Sequence, residues 1–223
     1  HVGSGRGQKE LGEPDLPIIR LSDGTPYIPG SSLKGVIRSE SERILTGLGI
    51  LVCIYMKTGR VIPDYNCRPE SACPSCEIFG SKNIASRVII TDALPLGSVK
   101  VEQRPGVALQ RDTKTVAPGR GPFYIEYVPP GSKFSFEIFF ENPQAWMLGL
   151  LFTIIESLSH MGGQISRGMG RIDISIDKIE LWTPKSIVKQ KPEKILEGDE
   201  LKKFIESQKE AFKRWGEGYG RKA

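Results

Sequence analysis

Apolar residues recur along the 223-residue chain at two spacings, one typical of helices and the other of strands. The first helical stripe follows a Gly-Ser-Ser turn and consists of Leu33, Val36, Ile37 and Ile44. Residues three and four apart lie on one helical face, so this stripe predicts a helix. The helix is expected to end near Gly47 or Gly49. Ser31 or Ser32 is the expected N-cap, since a serine hydroxyl can accept a hydrogen bond from a free backbone N–H of the first turn.

The remaining elements are predicted from periodicity and composition. Strands are expected at residues 87–91, 133–141 and 172–176, and residues 123–128 are a weaker candidate. Residues 144–160 are apolar on nearly every side, which predicts a buried helix. The last element is an amphipathic helix begun by Asp199. The core order is helix, strand, strand, helix, strand. With one further strand before His1, it becomes the β-α-β-β-α-β order of a ferredoxin-like (RRM-like) α+β fold.

Two stretches without regular periodicity interrupt this order. Residues 50–86 carry all four cysteines, and residues 94–122 are rich in proline, glycine and basic residues. Both are expected to be insertions in one domain that spans residues 1–183. Residues 184–223 are expected to form a Pro/Lys linker, at 184–192, and the C-terminal helix.

The composition is that of an ordinary globular protein, with 39% hydrophobic and 26% charged residues. Lys and Arg number 31 against 26 acidic residues, and the resulting charge of +5 favours no class of partner by itself. No apolar run reaches the roughly 18 residues of a membrane span, and no signal-peptide pattern opens the chain. We therefore expect a cytoplasmic protein with no membrane partner.

The start of the first helix has the composition of an anion site. Ser31, Lys34 and Arg38 lie three and four residues apart, so that they share one helical face. Free N–H groups and the helix dipole attract a phosphate to such a position. A capped surface helix with solvated charges explains the same spacing about equally well.

A second candidate for phosphate binding is the glycine-rich segment 162–171. Glycines allow a backbone to approach a ligand closely, and Arg167 and Arg171 can bind phosphates. The segment precedes a predicted strand and lacks Gly-Lys-Ser/Thr, so it matches neither the Walker nor the dinucleotide fingerprint. The alternative is a flexible connection between a helix and a strand.

Four segments match motifs of one known family. They are Ile-Pro-Gly-Ser-Ser-Leu-Lys-Gly at 28–35, Gly-Gly-x-x-Ser-Arg-Gly-x-Gly-Arg at 162–171, His-Val-Gly-Ser-Gly at 1–5 and the segment 73–81. The sequence therefore resembles the RAMP superfamily of CRISPR-associated proteins, and within it the repeated backbone subunit of type III effector complexes. The resemblance extends from His1 to about Leu181.

The resemblance implies a ferredoxin-like palm with insertions, many copies of which stack along a CRISPR RNA. A protruding hairpin of each copy kinks the duplex of guide and target, and some members cut the target RNA there with a loop aspartate in a metal-dependent reaction. The matching stretch is Asp15-Leu16-Pro17-Ile18-Ile19, so Asp15 is the catalytic candidate, with Mg²⁺ or another divalent ion. A carboxylate can bind such an ion or orient a 2′-hydroxyl, and the alternative is a solvated loop acid.

The implied partners are CRISPR RNA, complementary target RNA, other copies of this chain and other subunits of the effector complex. The residues expected to contact RNA are His1, Ser31, Ser32, Lys34, Arg38, Arg104, Arg111, Gly163, Arg167, Gly168 and Arg171. The basic segment 94–122 corresponds to the protruding hairpin of the family, and its alternative is a disordered basic loop. Asp23, in Ser22-Asp23-Gly24, is better explained as a turn residue.

The cysteines have the spacing of a metal site. Cys53, Cys67, Cys73 and Cys76 form the pattern C-x13-C-x5-C-x2-C. The closing C-x2-C is usual in zinc knuckles, and four thiolates complete a tetrahedron, so a structural Zn²⁺ is the favoured interpretation. Two disulfides or unrelated buried thiols are the alternatives.

The function that the resemblance favours is CRISPR RNA binding together with endoribonuclease cleavage of the paired target. The first alternative is the same scaffold without catalysis, and Asp15 distinguishes the two. A guide-processing ribonuclease is disfavoured because the chain has two histidines, and such enzymes rely on histidine acid–base chemistry. A zinc-containing RNA-binding protein outside CRISPR systems is the last alternative.

Overall fold

The computed structural model describes residues 2–3, 14–57, 60–63, 67–107, 109–110, 112–113, 115–116 and 122–219. The chain forms two compact units. The first unit comprises His1–Leu33, Ile90–Ile138 and His160–Ile172, and the second comprises Lys34–Ile89, Phe139–Ser159 and Asp173–Ala223. Both contain helical and strand residues, so the α+β class predicted from the sequence is confirmed.

The elements are numbered in chain order. They are α1 (Gly30–Gly47), β1 (Ile54–Lys57), β2 (Arg60–Pro63), α2 (Pro74–Phe79), β3 (Val88–Ile90), β4 (Leu94–Pro95), β5 (Glu102–Gly106), β6 (Phe123–Tyr127), β7 (Phe134–Ser135), β8 (Ile138–Phe140), α3 (Ala145–Ser157), β9 (Ile179–Leu181), α4 (Pro184–Val188), β10 (Lys194–Leu196) and α5 (Gly198–Tyr219). Short 3-10 helices lie at Pro69–Ser71 and Ile165–Arg167. In the described residues the strands form five two-stranded sheets, which are β1–β2, β3–β8, β4–β7, β5–β6 and β9–β10.

Helix α1 begins one residue before the serines that were predicted to cap it. Its first residue is Gly30, whose N–H donates to Oδ1 of Asp92 at 2.7 Å. A Cβ at Gly30 would lie 2.2 Å from the carbonyl oxygen of Ile90, so only glycine fits there. The N-cap prediction was therefore wrong, because a carboxylate from a later loop takes the place of the serine hydroxyl. Ser31 and Ser32 belong to the first turn.

The predicted end of α1 is confirmed at Gly47. Gly49 follows with a φ of 75°, the left-handed conformation that glycine adopts without strain. The N–H of Ile50 then donates to the carbonyl of Leu45 at 2.9 Å, the long-range bond of a Schellman motif. Leu45 and Ile50 are both buried, so the end of the helix is fixed by packing as well as by hydrogen bonds.

The core of the second unit lies between the buried helix α3 and the amphipathic helix α5, both as predicted. Gly149 of α3 lets the helices meet closely, since a Cβ there would lie 2.1 Å from the carbonyl oxygen of Gln208. The rings of Trp146 and Trp215 stack with centroids 4.1 Å apart. Leu201 on the first turn of α5 is buried.

Three local predictions differ from the structure. Residues 133–141 form two strands, because β7 pairs with β4 and β8 pairs with β3. Residues 172–176 alternate between half-buried and exposed side chains, but they form no strand, because no ladder partner lies beside them among the described residues. The segment predicted as a linker, 184–192, contains α4, which begins with a capping box between Thr183 and Ser186.

Across the described part of the chain, no helix combines the length and the hydrophobicity that a membrane span requires.

Candidate functional site

The candidate catalytic residue, Asp15, lies against strand β6 in the first unit. Its Oδ2 accepts a hydrogen bond of 2.8 Å from the backbone N–H of Tyr124. The next residue, Leu16, pairs with Ile125 in the parallel direction. Strand β6 therefore has β5 on one edge and the segment 14–20, hereafter the Asp15 loop, on the other.

A second acid, Glu126, binds the Asp15 loop from β6. It is 8% exposed, and its Oε2 accepts from the N–H of Ile18 at 3.1 Å. Its Oε1 accepts from Nη2 of Arg20 at 3.0 Å. Sequence reasoning missed this residue. Its only signal was a single acid within the apolar stretch Phe-Tyr-Ile-Glu-Tyr-Val at 123–128.

Asp23 has the turn role that was predicted for it. Its Oδ1 accepts from the N–H of Thr25 at 2.9 Å. This backbone hydrogen bond favours the charged carboxylate and lowers its pKa below the usual value. The side chain is exposed.

Strands β5 and β6 pair in an antiparallel hairpin. β5 lies within the basic segment 94–122, and β6 follows that segment. Their register pairs Arg104 with Ile125, and Arg104 is exposed. Beyond the strands, three large apolar side chains are half or more exposed, at Val107, Leu109 and Val116. Arginines that bind phosphates and apolar side chains that wedge between bases are the groups with which proteins deform nucleic-acid duplexes. Arg111 lies outside the described residues.

The glycine-rich segment 162–171 is ordered by its own hydrogen bonds. The N–H of Met161 donates to the carbonyl of Gly170 at 2.8 Å, and His160 pairs with Arg171. Gly170 has a φ of 81°, and a Cβ there would lie 2.3 Å from the carbonyl oxygen of Met161. Arg167 donates from Nη1 to Oε1 of Gln164 at 2.7 Å.

Four predicted RNA-binding residues lie on this segment, and all four are accessible to a ligand. Gly163, Arg167, Gly168 and Arg171 are exposed. Gly168 has a φ of 81° and open space where a Cβ would lie, so its backbone conformation, not close packing, favours glycine. His1, the remaining predicted contact near the chain start, lies outside the described residues.

Lys34 is engaged within the second unit. Its Nζ donates to Oγ of Ser86 at 2.7 Å and to the carbonyl of Val88 at 3.0 Å. Burial, and then the charge of Arg38, lower the pKa of this lysine. The spacing of the sequence revealed neither acceptor.

Arg38 is also engaged with protein groups. Its Nε donates to Oε1 of Glu42 at 2.9 Å, and Nη1 donates to the carbonyl of Gly80 at 2.8 Å. Its Nη2 lies 3.1 Å from Sγ of Cys76. The side chain is 14% exposed. The structure therefore gives this arginine an internal role, whereas RNA binding by Lys34 and Arg38 stays a prediction.

The four cysteines come together in the second unit. The sulfurs of Cys53, Cys67, Cys73 and Cys76 all lie within 4.8 Å of one another. Cys73 and Cys76 bracket the start of α2, where the N–H of Cys76 donates to Sγ of Cys73 at 3.4 Å. No disulfide joins the four thiols in this structure.

Burial and the neighbouring thiols shift the pKa values of three of the cysteines. Burial, together with hydrogen bonds to the other sulfurs, raises the pKa of Cys53 well above its usual range. Burial also raises the pKa of Cys76 to about 12. For Cys67 burial acts in the same direction, but the N–H of Cys73 and the neighbouring thiols outweigh it and lower the pKa.

The family of the chain follows from its sequence. The family model of the RAMP superfamily matches residues 1–173. The chain belongs to the RAMP superfamily. The match includes the Asp15 loop, the hairpin, the cysteines and the glycine-rich segment, whereas β9, α4, β10 and α5 lie beyond it.

Curated relatives extend the similarity over most of the chain. A protein of Methanocaldococcus jannaschii named "CRISPR system Cms endoribonuclease Csm3" is 33% identical over 232 aligned residues, which cover 97% of this chain and 89% of that protein. A protein of the same name from Methanothermobacter thermautotrophicus is 31% identical and covers 80% of each chain. A third, from Enterococcus italicus, is 28% identical over 81% of this chain and 86% of its own length.

Proposed function

We propose that this chain is a backbone subunit of a type III CRISPR effector complex, in which it binds CRISPR RNA and cleaves the paired target RNA. Membership of the RAMP superfamily and relatives named as CRISPR endoribonucleases support this class of function. The observation that carries the catalytic part is the hydrogen bond between Asp15 and Tyr124, at 2.8 Å. It fixes a carboxylate beside the hairpin.

Asp15 supplies the chemistry in this proposal. Its carboxylate orients the ribose 2′-hydroxyl for attack on the adjacent phosphate, or accepts its proton. The bond from that phosphate to the 5′-oxygen of the next nucleotide breaks, and the released oxygen takes a proton from water. Hard divalent cations such as Mg²⁺ bind through one or two carboxylates plus substrate phosphates, so one carboxylate beside an RNA phosphate fits such an ion. When bound, the ion would stabilise negative charge on the phosphate.

RNA binding is proposed for the exposed cations of the first unit. Arg104 on the hairpin, with Arg167 and Arg171 on the glycine-rich segment, would hold backbone phosphates. The exposed apolar side chains beyond β5 would separate stacked bases of the guide–target duplex. We further propose that the strands complete a ferredoxin-like palm in the assembled protein, and that its partners are further copies of this chain and other subunits.

The cysteine cluster is proposed to hold a structural Zn²⁺. Tetrahedral zinc with Zn–S bonds of about 2.3 Å separates its sulfurs by about 3.8 Å. The four sulfurs, all within 4.8 Å of one another, are close to that arrangement. Cys53, Cys67, Cys73 and Cys76 would be the ligands, and the metal would stabilise the segment that joins α1 to β3.

The test of the catalytic proposal is target cleavage by the reconstituted complex. Complementary RNA is labelled at one end and incubated with the complex, guide and Mg²⁺, and the chain carries either Asp15 or alanine at that position. Loss of cleavage with retained target binding supports the proposal. Equal cleavage by both complexes leaves only the scaffold without catalysis.

A further inference from the structure

Two carboxylates join the Asp15 loop to strand β6, one from each side. Asp15 accepts from the backbone of β6, and Glu126 of β6 accepts from the backbone of the loop. The loop residue next to Asp15 is also tied to the strand. The N–H of Leu16 donates to the carbonyl of Tyr124, and its carbonyl accepts from the N–H of Glu126, at 3.1 and 3.0 Å.

The side chain of Glu126 ends this pairing. Leu16 lies opposite Ile125 in a parallel bridge. The next bond of a parallel ladder would run from the N–H of Ile18 to the backbone carbonyl of Glu126. Instead, the N–H of Ile18 donates to the carboxylate of Glu126 at 3.1 Å. The Asp15 loop therefore diverges from β6 at Ile18, and the length of the Glu126 side chain sets the separation of the two backbones there.

Because Glu126 is buried, its carboxylate would be costly without charged and hydrogen-bonding partners. Its side chain is 10% exposed, and its charged partner Arg20 belongs to the same loop. A buried carboxylate is strongly disfavoured unless it is paired and hydrogen-bonded. Two of its partners, the guanidinium of Arg20 and the N–H of Ile18, reach Glu126 only when the loop is docked on β6.

We propose that Glu126 is the positioning residue of the Asp15 loop. The inference rests on the proposed role of Asp15 in cleavage. Glu126 acts through Asp15 and not on the RNA. It fixes the Asp15 loop on strand β6, so that the Asp15 carboxylate keeps a constant position relative to the hairpin. The hairpin that separates the bases thereby also determines which phosphate lies beside Asp15.

The test uses Glu126→Gln and Glu126→Ala in the reconstituted complex, with guide, end-labelled target and Mg²⁺. Glutamine keeps the shape and can still accept from the N–H of Ile18, whereas alanine loses both bonds. A displacement of about 1 Å can cost on the order of 10²-fold in rate. We expect a loss of that order at saturating target for alanine, a smaller loss for glutamine, unchanged target affinity, and cuts shifted to neighbouring phosphates.

The matched control is Glu137→Gln, which alters an exposed glutamate of the same unit away from the loop. It is expected to cut at the normal rate and position. In the purified chain, amide exchange over residues 14–20 should be faster in both Glu126 variants and unchanged in the control. This measurement needs no cleavage and no RNA.

The outcomes separate this inference from the proposed function. If Asp15→Ala abolishes cleavage but both Glu126 variants cut at the normal rate and phosphate, the positioning role is wrong and the catalytic role stands. If Asp15→Ala cuts normally, the catalytic role is wrong and the inference falls with it. Weaker target binding with unshifted cuts in the Glu126 variants would show a merely structural residue. Unchanged amide exchange would show that Glu126 does not hold the loop, and the positioning role would then be wrong.

Discussion

Nη2 of Arg38 lies 3.1 Å from Sγ of Cys76, so helix α1 and the cysteine cluster are joined by a side-chain contact. The same guanidinium donates to the carbonyl of Gly80, which ends α2, and to Glu42 one turn further along α1. A positive charge beside clustered thiols favours their deprotonated form. Arg38 thus donates hydrogen bonds to the end of a helix and to a buried carboxylate, and it also contacts a cysteine sulfur.

The first prediction is that Arg38→Ala destabilises the second unit. The change leaves Glu42, whose side chain is 7% exposed, without this cation, and breaking such a buried pair costs about 3 kcal/mol. All three tryptophans lie in the second unit, so urea unfolding followed by tryptophan fluorescence measures the loss there.

Arg43→Ala is the control for this prediction. Arg43 lies on the same helix and pairs with Glu40, but its side chain is 67% exposed. An exposed ion pair contributes little to stability, so its loss should hardly shift the urea midpoint. Equal shifts for the two variants would contradict an internal role for Arg38.

The second prediction concerns the metal. Purified chain should contain about one Zn²⁺ if four thiolates bind it in a tetrahedron. Cys76→Ser should release the metal and speed amide exchange in residues 67–80, because the segment loses the centre that holds it together. Ser75→Ala, at the neighbouring buried position, should keep the zinc. Elemental analysis that finds no metal in protein with four free thiols would rule the site out.

The third prediction is that Arg167 and Arg171 contribute to RNA binding by neutralising phosphates. Removal of one such arginine should reduce the slope of log K against log salt by about 0.7 for single-stranded RNA. We therefore expect the double alanine variant to bind guide RNA more weakly and with a shallower salt dependence, while its thermal stability stays the same. Titrations of labelled guide RNA at several salt concentrations measure this.

Lys203→Ala is the matched control for charge, since it removes an exposed cation from α5, which lies beyond the family match. Its affinity and salt slope should equal those of the unchanged chain. A salt slope that is unaltered in the Arg167 and Arg171 double variant would show that these arginines do not neutralise phosphates.

Local patterns were sufficient to predict some parts of the structure and not others. Helices α1 and α5 were predicted because one face of each is apolar over several turns, and α3 because a long stretch is apolar on nearly every side. The cysteine cluster was predicted because its ligand spacing is distinctive. The partners of side chains were not predictable. Arg38 and Gly80 are 42 residues apart, and Ile18 and Glu126 are 108 apart, so only folding brings them together.

The same limit applies to strands. The alternating isoleucines Ile172, Ile174 and Ile176 are the half-buried residues of this segment, since side-chain alternation depends on the extended backbone alone. A strand also needs hydrogen-bonding partners on a neighbouring segment, and the sequence of one segment does not specify them.

The last prediction is that Asp15→Ala abolishes cleavage of target RNA and spares the binding of guide and target. Binding rests on many basic contacts, so the loss of one carboxylate should not weaken it, whereas cleavage needs an oxygen ligand or proton acceptor at one phosphate. General acid–base assistance contributes about 10²–10⁴-fold, so the loss should be plain in a time course. Asp23→Ala is the control and should cut normally, because its carboxylate serves a turn through Thr25. If instead the Asp15 variant cuts at the normal rate, the carboxylate beside Tyr124 only stabilises the loop.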